Sequence, residues 1–172
     1  ALAYNTTASS NTAVGYQSIY TNTTGQYNTA VGHQSMQNGD GATGNAALGY
    51  QALRASTGTY NVGIGFAAGQ NTTSGNYNVA VGSQTLNNNT TASYNTALGY
   101  QAGYYNTGSF NTFIGSQAAY NNTSGIDNVA VGLNSLVTNT TGSYNVALGK
   151  QALNNNTTTS NNTAVGYQAL YT

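Results

Sequence analysis

The stretch Asn11-Thr12-Ala13-Val14-Gly15-Tyr16-Gln17-Ser18-Ile19 decides the fold, because it returns throughout the chain. Its first residue recurs as Asn28, Asn45, Asn61, Asn78, Asn95, Asn111, Asn128, Asn145 and Asn162. Its glycine, Gly15, recurs as Gly32, Gly49, Gly65, Gly82, Gly99, Gly115, Gly132, Gly149 and Gly166. The spacings are 17, 17, 16, 17, 17, 16, 17, 17 and 17 residues. A fixed short period over a whole chain is the signature of a repeat architecture, since each unit is too small to bury a core alone.

Slot by slot, the unit reads as β-structure. The residue before each glycine is a branched aliphatic, as in Val14, Leu48 and Ile64, and the one before that is small except at Phe113. The Thr or Val preceding it favours strand. After the glycine, Tyr-Gln-Ala-Leu repeats the alternation of small and apolar residues. Two short strand-like stretches per unit are therefore expected, each turning one face inward. Glycine supplies a bend between them, at positive φ, and the variable Asn-Thr-Thr stretch supplies the second bend. The one-residue deletions fall in that stretch, as expected of an outer loop. Asn, Thr and Gly are poor helix formers, which argues against a helical repeat.

The expectation is an all-β, parallel β-solenoid (a β-roll) of ten 16–17-residue rungs, forming a single repeat domain over residues 1–172 with no separate caps. At about 4.8 Å per rung the rod is roughly 48 Å long. The constant Asn is expected to stack into an amide ladder, and so is Gln, which is missing only at Ala67 and Asn134.

Composition limits the function. Of 172 residues, two are Lys or Arg and two are Asp or Glu, namely Arg54, Lys150, Asp40 and Asp127. Two cations are too few for the phosphate neutralisation that nucleic-acid binding needs. No apolar run is long enough to insert in a membrane. With no Cys there is neither a disulfide framework nor a thiolate zinc site. Regularly placed aliphatics and fifteen Tyr oppose a disordered reading. Asp40 and Asp127 lie about five rungs apart, roughly 24 Å, too far for paired-carboxylate chemistry. His33 falls in a tolerant slot and reads as a solvent-facing substitution. Asn38-Gly39-Asp40-Gly41 reads as a turn rather than a calcium loop. No catalytic residue, metal site or cofactor is expected.

Two further sets of candidates stand out. Tyr27, Tyr60, Tyr77, Tyr94, Phe110 and Tyr144, each preceding the constant Asn, form an aromatic file that either contacts carbohydrate or protein or packs between neighbouring rungs. Asn-x-Ser/Thr sequons, including Asn5, Asn22, Asn71 and Asn139, are possible glycosylation sites, and their position in the variable stretch suggests accessible loops.

The Asn-Thr-Ala-Val-Gly-Tyr-Gln-Ala-Leu unit resembles the head repeats of trimeric autotransporter (YadA-like) adhesins, and is also similar to repeats of phage and viral tail-fibre-like proteins. The unit here is longer by the Asn-Thr-Thr loop. The resemblance implies a left-handed roll, a homotrimer, and an extracellular, cell-surface or virion-surface location with a host surface or carbohydrate as partner. Ala1-Leu2 occupies the slots of Ala169-Leu170, so the sequence starts and stops in one phase. The expectation is either a piece of a longer array or subunits stacking head to tail into a filament. The leading reading is thus a non-enzymatic structural or adhesive segment of an extracellular fibre or filament. The competing class is a ligand-binding solenoid, either ice-binding or carbohydrate-binding. The slot an ice face would need runs Thr12, Thr29, Ala46, Val62, Val79, Thr96, Thr112, Val129, Val146 and Thr163, too irregular a rank for that role.

Overall fold

In the computed structural model, which describes residues 1–171, each repeat contributes one three-residue strand. These are β1 (Thr12–Val14), β2 (Thr29–Val31), β3 (Ala46–Leu48), β4 (Val62–Ile64), β5 (Val79–Val81), β6 (Thr96–Leu98), β7 (Thr112–Ile114), β8 (Val129–Val131), β9 (Val146–Leu148) and β10 (Thr163–Val165). They form one ten-stranded sheet in chain order. Every pairing is parallel and keeps like slots together, as in Thr12 with Thr29, Ala13 with Ala30 and Val14 with Val31. The 16-residue spacings leave this register intact, because the missing residue comes out of the return loop: Ala46 still pairs with Val62, and Thr96 with Thr112. The chain is a parallel β-solenoid.

The stretch after the glycine departs from expectation. It is not a second strand but a turn, with positive φ at alternate positions: Gln17 at 49° and Ile19 at 46°, Gln51 at 53° and Leu53 at 49°. A flat strand sends consecutive side chains to opposite faces, yet Ala52 and Leu53 are both buried. Curling the backbone through alternate left-handed residues brings both inward. Left-handed backbone costs an L-residue about 1–2 kcal/mol. Bonds between rungs hold it in place: Gln34 N–H donates back to the Tyr16 carbonyl at 2.7 Å, and Met36 N–H donates forward to the Ala52 carbonyl at 3.0 Å.

The bend glycine meets two demands at once. Gly15 has φ of 124°, and a Cβ there would lie 2.4 Å from the Gly32 carbonyl oxygen of the next rung. Stacked copies approach too closely at this corner for any side chain.

Within each strand the small residue points inward. Ala30, Ala47, Ala80, Ala97, Ala130 and Ala147 are buried, and with Ile19, Met36, Leu53, Leu86, Leu136 and Leu153 they form a thin core in two clusters, one ending at Leu53 and the other starting at Ala68. Volume is traded between slots. Phe113 replaces the strand alanine of its rung, while the Leu slots beside it hold Gly103 and Ala119. A Cβ on Gly103 would come within 2.7 Å of the Phe113 ring. Likewise Gly63, in the alanine slot of β4, leaves room for Leu53, whose Cγ would be 2.7 Å from an added Cβ.

Candidate interaction face

Amide ladders fix the height of every rung. Asn28 Nδ2 donates to Asn11 Oδ1 at 3.1 Å, and Asn28 backbone N–H donates to the same oxygen at 2.9 Å. The backbone bond recurs up the file, from Asn45 to Asn28, Asn61 to Asn45, Asn78 to Asn61 and on to Asn162 with Asn145. Glutamines run a parallel ladder on the turn, with Gln51 donating to Gln34 at 2.8 Å and Gln101 to Gln84 at 3.0 Å. At the Ala67 gap, Gln70 reaches across to Gln51 Oε1. At the Asn134 gap no such rescue occurs, and Asn134 Oδ1 is buried without a partner.

A second asparagine ladder, which sequence reading missed, lies under the variable loop. Asn122 donates to Asn106 at 2.7 Å, Asn139 to Asn122 at 2.6 Å and Asn156 to Asn139 at 3.0 Å. Each also closes its own loop, as Asn139 Nδ2 does on the Gly142 carbonyl. This corrects the glycosylation expectation at two positions. Asn22 and Asn139 are fully buried, and Asn22 Nδ2 is committed to the Gly25 carbonyl at 3.0 Å, so neither amide can accept a glycan in the folded protein. Asn5 is exposed, and Asn71 is half-buried with its amide donating to Asn88 at 3.1 Å.

The opposite side of the sheet is a surface of different character. With alanine inward, the aliphatic slot must point out, and Val14, Leu48, Ile64, Leu98, Ile114, Leu148 and Val165 are all exposed, Leu98 by 47%. Beside it on the same outward face runs the Thr/Val slot, in the register already described. An aromatic file flanks each end of the strands. On the entry side Tyr60, Tyr77, Tyr94 and Phe110 stack at 5.0–5.2 Å, with ring planes within 19° of parallel. Tyr27 is separated from them by Gly44, over which the Tyr60 ring lies, while Tyr144 is flanked by Asp127 and Asn161. On the exit side, two residues past the aliphatic slot, Tyr16, His33, Tyr50 and Phe66 stack at 4.9–5.3 Å. Only the entry file stands out from the sequence alone. The exit file carries the same signal, aromatic residues at a fixed offset from the glycine, but is interrupted by Ser83, Ser116, Leu133 and Lys150.

Stacking uses the ring faces. Inside each run a ring is covered above and below by its neighbours, leaving edges and hydroxyls for contact. A sugar packing on an aromatic face finds such faces only where a run ends or at an isolated ring such as Tyr27 or Tyr144.

Elsewhere the polar groups are local. Asp40 accepts from Thr23 N–H at 2.8 Å and from Thr23 Oγ1 at 2.5 Å, and these bonds hold its carboxyl below the ordinary value of 3.8. The Tyr120 phenol is pushed up by burial and by its contact with Tyr105. Among the described residues, no three His, Asp or Glu side chains come together as a metal site, and no cavity opens. No helix is long and apolar enough to cross a membrane. Comparison with protein-family models, with curated proteins and with solved structures returned no match.

Proposed function

We propose that the chain is a non-enzymatic structural or adhesive segment of an extracellular fibre, exposed on a cell or virion surface, whose rods self-associate through the outward face of the sheet. The observation that carries this reading is that face: an aliphatic file and a Thr/Val file without a formal charge, bordered by aromatics, over ten rungs in unbroken register. Exposed apolar surface on this scale is typical of an interaction site rather than of a solvated wall. Ten rungs at about 4.8 Å and three strand residues at about 3.3 Å give roughly 500 Å² of flat sheet per copy, and the bordering aromatic files bring the face toward the ~800 Å² each partner buries in a standard interface.

A second copy is the occupant the face fits best, since its own files match in length, register and polarity. A homotrimer is the arrangement the resemblance to YadA-like heads implies, and repetition then supplies stiffness and multivalent contact with a host surface or carbohydrate. Electron microscopy of the purified protein tests the reading. Rods joined side by side along their length are expected, and the same images separate lateral assemblies from end-to-end filaments. Isolated single rods at high concentration would remove the proposal.

A further inference from the structure

Only two formal charges occur in the four files of the outward face, and they lie on opposite borders. Asp127 takes the aromatic slot on the entry side of β8; Lys150 takes the exit-side slot of β9. Both are exposed. The Lys150 ammonium rests 5.7 Å from the centre of the Tyr167 ring in the next rung. Within one chain they stand on opposite borders of the strands, six residue steps apart along a rung. In height, however, they differ by a single rung, about 4.8 Å.

That combination has a geometric consequence. When two copies pack face to face about an axis parallel to the rods, the entry border of one lies against the exit border of the other at equal height. Asp127 of each copy then faces Lys150 of its neighbour, offset by one rung, a distance the lysine stem spans. The relation holds for two copies or for three. If the rods instead run antiparallel with full overlap, like borders meet and rung eight lies against rung three. Asp127 then faces Gly44, and Lys150 faces His33, with no complementary charge.

We propose that Asp127 and Lys150 form an intersubunit ion pair that selects parallel, equal-height association of this chain with its own copies. The inference rests on the self-association reading above and adds orientation and register to it. An interface made of ten near-identical rungs needs such a device. Sliding one rod by a rung re-creates almost the same apolar contacts, as register is weakly specified wherever a pattern repeats without markers. In a pair of rods, equal height keeps both symmetry-related ion pairs, a slip of one or two rungs keeps only one, and longer slips or reversal keep neither; charges across an interface fix register and orientation more than they add affinity.

The test is sedimentation of the wild type and of the variants D127K, K150D and D127K/K150D. D127N and K150Q are run beside them as neutral variants; Asn also tolerates the left-handed backbone at position 127 (φ 53°). Each reversal is expected to weaken association roughly tenfold, by placing like charges in contact, and the double swap to restore it. D127N and K150Q are expected to weaken it less and to remove its salt dependence. Association by the wild type that is indifferent to both reversals, or a swap that fails to restore it, overturns the ion pair while leaving self-association in place. A wild type that sediments as a monomer at every concentration overturns the self-association reading itself, and the pair with it.

Discussion

One methylene separates Asn134 from the glutamines above and below it, and that difference strands a buried amide oxygen. Replacing Asn134 by Gln is expected to rejoin Gln117 and Gln151 into one ladder and to stabilise the fold by about 1 kcal/mol, the typical net worth of a buried hydrogen bond. The denaturation midpoint checks this, and an unchanged or lower one contradicts it. Asp40 offers a pH test. Its folded carboxyl titrates below 3.8, so its contribution is present above that value and lost as the pH falls through the lower folded value. Asp40→Asn is expected to flatten that part of the acid unfolding profile, and an unaltered profile would show that the Thr23 contacts do not matter to stability. The constant Asn and Gln ladders were legible in the sequence because identical slots stack in a solenoid. The buried sequon asparagines were not. Asn22 and Asn139 sit in polar, variable stretches that read as outer loop, and only the turn's closure on Gly25 and Gly142 shows that their amides point inward.

At the scale of one element, period-two alternation of small and apolar residues is ambiguous. Thr-Ala-Val makes a strand, whereas Tyr-Gln-Ala-Leu makes a turn of alternating handedness, and both read alike in sequence. The difference lies in burial of two consecutive residues, which depends on where the neighbouring rungs stand. Ala67 tests the cost of this turn. It holds φ of 53° in the glutamine slot without a ladder amide to gain, so Ala67→Gly is expected to stabilise by about 1 kcal/mol through relief of the left-handed strain. A loss of stability would contradict the assigned backbone. Phe113, the largest fully buried side chain, fills the space left open by Gly103 and Ala119. Truncation to Ala is expected to cost about 3–5 kcal/mol, the usual range for a buried aromatic left as a cavity. Phe113→Ala combined with Gly103→Leu should recover part of that loss, since the two slots share one volume.

For the whole molecule, ten rungs give a rod with two unlike sides. The return loops are closed by a buried amide ladder and carry mostly polar surface, interrupted by a cluster of Tyr104, Tyr105 and Tyr120. The sheet shows water an apolar face bordered by stacked aromatics. The rung count and period could be read directly from the recurrence of Asn and Gly. Which strand residue faces outward could not, because small inward residues and large outward ones invert the usual rule that aliphatics fill the core. The narrow roll explains the inversion: its interior holds Ala in the strand and Leu in the turn, and leaves no room for a second branched side chain.

Sedimentation equilibrium of the wild type against Leu98→Lys tests the central claim most directly. Leu98 is outward and exposed in the single chain, so the substitution spares the core while placing a charge in the middle of the apolar face. The wild type is expected to self-associate, and the variant to keep its thermal unfolding profile at low concentration while losing that association. A wild type that is monomeric at all concentrations, or a variant that associates as well as the wild type, would contradict it.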